Sequence, residues 1–247
     1  MNWQNAIAIL STLALVTPVF VIFLTKLVRY KYFFSLFIYC LVAFTYNLMT
    51  EDYLAVSKTF LRTFGIINNL LDAPLMFTFL MYFANSKKQR KMMSVILLVF
   101  LCFELIVVTL KGISIPTIVI VMGPGITLVF SFALYFFVQS IKRSFIHAKA
   151  AGKAFMSTAI SFAYGCFAFI YIMFYLLKVP DSPYIFLVYF TVTIIYCTLL
   201  TIGLILESKR KRKLEELLIT RKELYRFFHE EKKPATSGDI TGQWRLN

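Results

Sequence analysis

Two acidic residues, Asp72 and Glu104, lie inside otherwise apolar stretches of the chain and are the side chains best placed to do chemistry. A carboxyl group within a bilayer is costly to ionise and usually faces the protein interior or water, where it marks a proton, cation or ligand site. Offsets of seven, four and three residues put Gly65, Asn68 and Asn69 on the helical face of Asp72. That face is a stripe of amides beside a carboxyl, and Pro74 loosens the backbone ladder next to it. The Gly123-Pro124-Gly125 triplet frees backbone groups in a later stretch, which lipid tolerates only where neighbours or a cavity satisfy them. Asn47, Tyr46 and Tyr171 stand at similar depth and are expected to complete a polar pocket.

The elements that carry these residues are apolar runs, each long enough to cross a hydrocarbon core about 30 Å thick. They are expected at Ala6–Leu24, Tyr32–Met49, Thr63–Phe83, Met92–Leu110, Thr117–Val138, Ala154–Leu177 and Tyr184–Ile205. Continuously apolar spans of this length must be helices, because only helices and closed barrels satisfy their backbone groups in lipid. The fold expected is an all-α integral membrane protein, a bundle of seven transmembrane helices over residues 1–205. A hydrophobic content of 60% against 15% charged residues excludes a soluble domain of this size.

Lysine and arginine placement orients the bundle, since cytoplasmic loops retain them. Lys26, Arg29, Lys31, Lys87, Lys88, Arg90, Lys91, Lys142, Arg143, Lys149 and Lys153 fall on one side. The opposite loops hold Lys58, Arg62, Lys111 and Lys178, offset by Glu51, Asp52 and Asp181. This predicts the amino end outside, the carboxyl end cytoplasmic, and a multi-pass protein of the plasma or bacterial inner membrane. The first apolar run lacks a preceding positive segment and is long enough to span, so it reads as a helix and not as a signal peptide. With Asp72 about nine residues and Glu104 about six residues from the outer ends of their helices, their depths differ by roughly 5 Å. Both are therefore expected to line one outward-facing cavity between neighbouring helices. The alternative is two protonated carboxyls bonded to backbone carbonyls of adjacent helices.

Beyond the last span, Lys209, Arg210, Lys211, Arg212 and Lys213 form a basic run. Leu214, Leu217, Leu218, Leu224, Tyr225 and Phe228 then recur at helical spacing, with Glu215, Glu216, Lys222 and Glu223 on the other side. Residues 206–231 are expected to form a basic amphipathic helix on the anionic inner leaflet, or, alternatively, a short dimeric stalk whose seam Arg221 weakens. Residues 232–247 follow Pro234 into a polar tail expected to be disordered. The net charge of +14 is thus read as topology and lipid contact, not as nucleic-acid binding.

Several chemistries are argued down by missing residues. The seventh span holds no lysine for a retinal Schiff base, and His147 and His229 cannot provide paired axial ligands for haem, so no cofactor is expected. Cys40, Cys102, Cys166 and Cys197 fall in separate helices without metal or disulfide spacing, and no metal site is expected. No protease motif is present. An acid and base pair made by Asp72 and Glu104 is the one enzymatic arrangement left open, and the chain is read as a non-enzyme. A faint internal echo, Ala43 to Tyr46 with Ala168 to Tyr171, is inconsistent with the spacing of Pro18 and Pro124 and is read as chance.

The Asn68 to Pro74 and Gly123 to Gly125 segments resemble those of small seven-helix bacterial membrane proteins, a resemblance that implies no activity. The functional expectation is a receptor-like or sensor-like module with a small-molecule ligand, relaying to the cytoplasmic helix or to a protein partner. A small transporter or channel and a structural subunit of a membrane complex are the alternatives.

Overall fold

The structure is a computed structural model that describes residues 3–146, 151–177 and 183–230. Within these residues the chain is helical, and seven helices are long and apolar enough to span a bilayer, as in a multi-pass membrane protein. They are α1 (Trp3–Leu24), α2 (Lys31–Thr50), α3 (Lys58–Leu80), α4 (Lys87–Lys111), α5 (Ile115–Ile146), α6 (Ala151–Tyr171) and α7 (Pro183–Glu230). The chain divides into two compact units, Met1–Ser208 and Lys209–Asn247. The boundary falls three residues beyond the apolar run that predicted residues 1–205. Residues 209–225 of the second unit are helical, and most of them are exposed. The expected disordered tail from 232, together with His147, lies outside the described residues.

The helices begin earlier than hydrophobicity predicts, and in α3 and α4 a serine cap sets the start. Ser57 accepts a hydrogen bond from the Phe60 amide and starts α3 at Lys58. Ser86 does the same for the Gln89 amide, and Gln89 reaches back to the Asn85 amide, a variant of the reciprocal capping box. Lysines 87, 88 and 91 therefore fall inside α4, in its first turn or just beyond it. At the other end of α3, Met81–Phe83 tighten into a 3-10 turn, while Ile172–Leu176 widen into a π-helical turn at the end of α6. Many hydroxyl side chains within the spans bond to carbonyls of their own helix. Ser11 and Thr12 both bond to the Ala8 carbonyl, and Ser157 bonds to Lys153 and Ala154 carbonyls.

Extensive helix contacts join α5 with α6, α2 with α3, α3 with α5, and α1 with α2. One end of the bundle gathers the Lys26–Tyr30 turn and the residues after Phe83, since Phe33 packs edge-on against Tyr82 and Arg90 lies over the Tyr32 ring. This lysine-rich end is closed by an aromatic core in which Phe33, Phe79 and Tyr82 meet, and Phe83 touches Phe136. Phe33, Phe79 and Phe136 are fully buried there. The opposite end carries residues 51–57 and 112–114.

Glycines decide how closely three pairs of helices approach. At the α6–α7 crossing, a Cβ on Gly203 would lie 2.9 Å from the Met156 amide nitrogen and 3.0 Å from the Gly152 carbonyl oxygen. A Cβ on Gly152 would meet the Glu207 amide nitrogen at 2.9 Å. Backbone is packed on backbone, the small-residue contact by which helices associate where no hydrophobic force separates protein from lipid. Gly125 on α5 admits Ala73 of α3, whose Cβ would be 2.9 Å away, and Gly165 on α6 admits the Phe130 ring of α5.

Candidate functional site

Asp72 is placed by the contact beside it. Ala73 is buried against Gly125 of α5, and one residue back along α3 the side chain turns by about 100°. Asp72 thereby meets α6, where the Tyr164 hydroxyl donates a hydrogen bond of 2.9 Å to its Oδ2. Tyr164 is itself held by the adjacent Gly165, which lets α5 close on α6, and it is fully buried. The Tyr39 hydroxyl of α2 lies within hydrogen-bonding reach of the same carboxyl and of Tyr164. Tyr196 of α7 is 4% exposed, has its hydroxyl near that of Tyr39 and within electrostatic reach of Asp72, and meets the geometry of a full hydrogen bond with neither. One carboxyl thus sits among phenols from three other helices. Asp72 itself is only half-buried.

Glu104 occupies a different place. It lies on the buried face of α4 with Phe100 and Val107, and the Phe100 ring lies against Gly125 of α5. Its Oε2 is buried and has no hydrogen-bond partner. The groups acting on Asp72 do not include Glu104, nor the reverse. The two carboxyls, expected to line one cavity, share no partner. Equal depth along neighbouring helices fixes height but not rotation, and α3 turns Asp72 toward α2, α6 and α7.

The remaining residues singled out in the sequence separate in the same way. Asn69 donates its amide to the Gly65 carbonyl within its own helix, at 2.9 Å, and Asn68 is half-buried. Asn47 is buried against α1, where it donates to the Thr12 hydroxyl at 2.7 Å, so it joins α2 to α1. Gly123 and Tyr171 do come together. The Tyr171 hydroxyl would be 2.8 Å from a Cβ on Gly123, and it donates to the Val119 carbonyl at 2.7 Å. That hydroxyl serves the backbone near Pro124, which is itself exposed. Tyr46 packs its ring against Gly65. Lys209 to Lys213 all belong to α7, and Lys209, Arg212 and Lys213 are exposed.

The sequence reading missed Tyr39, Tyr164 and Tyr196, because a chain with 14 tyrosines gives no reason to rank three of them. It also missed a cluster at the lysine-rich end. Glu207 of α7 is fully buried and accepts a hydrogen bond from the Tyr82 hydroxyl, while the Lys153 ammonium of α6 sits 4.6 Å from the Tyr82 ring centroid. The four cysteines are free, and among the described residues no three His, Cys, Asp or Glu side chains converge as a metal would need.

The chain matches no protein-family model, no curated protein and no solved structure. A functional reading therefore rests on the geometry of the chain itself.

Proposed function

We propose that the chain is a receptor-like or sensor-like seven-helix membrane protein whose ligand state is registered at Asp72 and relayed through α7 to its basic carboxyl-terminal helix. The observation that carries this reading is the contact set of one carboxyl. Asp72 on α3 is bonded by Tyr164 of α6 and approached by Tyr39 of α2 and Tyr196 of α7. A change of charge at such a node alters the packing of four helices at once, the kind of bistable element that a switch requires. The lysine and arginine distribution supports an outside amino end and a cytoplasmic carboxyl end in the plasma or inner membrane. The run from Lys209 to Lys213 supports contact with anionic lipid, at about 1 kcal/mol per basic residue near a charged surface.

The test uses Asp72→Asn, which removes the charge and keeps the shape. An environment-sensitive dye is attached at Leu217→Cys, an exposed tail position, after Cys102→Ser and Cys166→Ser remove competing thiols. A relay predicts a different dye emission in Asp72→Asn with the helical signal intact. Equal emission with an intact fold removes the relay.

A second reading, a small transporter or channel, is favoured by Glu104, whose buried and unpartnered Oε2 is what a migrating proton or cation would use. Flux into vesicles that disappears in both Asp72→Asn and Glu104→Gln selects it.

A further inference from the structure

Tyr196 is the anomaly in the Asp72 cluster. Its hydroxyl is buried beside that of Tyr39, within electrostatic reach of Asp72, and no group around it meets the geometry of a full hydrogen bond. A buried hydroxyl without a partner is disfavoured by about 1–3 kcal/mol, so such groups are rare unless something else occupies the site. The surroundings define what that occupant is. Among the described residues no lysine or arginine acts on Asp72, and its neighbours are the neutral phenols of Tyr39 and Tyr164. Tyr189 also lies within electrostatic reach.

The Tyr164 hydroxyl uses its proton on Asp72, which leaves its oxygen lone pairs free to accept. The Tyr196 oxygen has the Tyr39 hydroxyl as its near polar neighbour and keeps a lone pair to spare. A carboxyl with phenol oxygens is a hard, oxygen-only donor set, and the rings around it present negative faces to a positive charge. The charge count selects further. One carboxylate balances one positive charge, while a divalent ion would leave an uncompensated charge in a low-dielectric interior. No second acidic, histidine or cysteine side chain joins a metal-binding group there among the described residues.

We propose that the Asp72 cluster binds a singly charged cation, an alkali-metal ion or a primary ammonium group, held by the Asp72 carboxylate and the hydroxyl oxygens of Tyr39, Tyr164 and Tyr196. This deepens the sensor reading of the same site and rests on it. The cation replaces the missing partner of Tyr196 and ties α7 to α3. An anion would be repelled by the carboxylate, and a neutral molecule such as water could bond the Tyr196 hydroxyl but would leave the carboxylate without a counter-charge.

The experiment is thermal unfolding of the full chain in detergent, at constant ionic strength made up with N-methylglucamine chloride, whose cation is too bulky for the site. Sodium, potassium and methylammonium chloride are titrated separately. The midpoint is expected to rise saturably with at least one of them, as ligand linkage requires. The rise should vanish in Asp72→Asn and weaken in Tyr196→Phe, which removes only the oxygen and keeps the ring. Which salt acts tells an inorganic ion from an amine. A midpoint that follows pH alone and ignores the cation overturns the proposal, as does a cation effect that survives in both variants. Occupancy and relay are read separately. A saturable shift in the wild type with an unmoved tail dye keeps the cation site and removes the relay; a moved dye without any shift does the reverse.

Discussion

The Tyr82 hydroxyl donates to the Glu207 carboxyl across 125 positions of sequence, pinning the end of α3 to α7. Lys153 lies over the face of the same tyrosine ring, so one side chain links three helices at the lysine-rich end. Tyr82→Phe removes a single donor to a fully buried acidic group while keeping the ring for Lys153. The expected loss is about 1.5–3 kcal/mol, the range for a hydrogen bond to a charged group. Denaturant unfolding in mixed micelles measures it, and a loss near zero would mean that the other contacts of Glu207 suffice.

Gly203→Ala is expected to cost more than Gly123→Ala. At Gly203 the new methyl meets the Met156 amide and the Gly152 carbonyl, backbone atoms that cannot step aside. At Gly123 it meets the far end of Tyr171, which can. Overpacking of the first kind costs roughly 1–3 kcal/mol. The second is expected to cost about 1 kcal/mol, mainly by pulling the Tyr171 hydroxyl off the Val119 carbonyl. Equal midpoints for the two variants would contradict the close crossing of α6 and α7.

Glu104→Met should stabilise the protein. The buried Oε2 has no partner, and an apolar side chain of similar volume removes that desolvation cost, worth about 1–3 kcal/mol. Thermal unfolding of the purified variant gives the sign directly. Destabilisation instead would show that Glu104 is satisfied by a bound species.

Ser57→Ala and Ser86→Ala are each expected to lose about 1 kcal/mol by leaving the Phe60 and Gln89 amides without their caps. Aspartate at either position restores most of that, which separates capping from any other effect of the serine.

The seven spans were legible because each is a run of apolar residues whose meaning needs no tertiary information. The residues at their ends were less so. Lys58 and Lys87 looked like loop residues, yet Ser57 and Ser86 draw them into α3 and α4. Glu207 looked juxtamembrane because it stands just past the last apolar residues, and only the packing of α7 on Tyr82 shows it to be buried. Asp72 was recognisable by its charge in an apolar setting, but its partners were not. Periodicity orders residues around one helix and does not say which neighbour each face meets. Asn47 illustrates this, since its depth suggested the pocket and its rotation gave it to Thr12 of α1.

The crossing of α6 and α7 at Gly152 and Gly203 has a mechanical consequence. Where two backbones touch, sliding is blocked but tilting is not, so the contact acts as a fulcrum for α7. The contact covers the turn from Gly203 to Glu207, and Tyr196 stands seven residues before Gly203, about 10 Å along the axis. A helix rocking on that turn swings Tyr196 through an arc and leaves Glu207, which is part of the bearing, nearly in place. The glycine pair thereby concentrates any tilt of α7 in the arm that carries Tyr196.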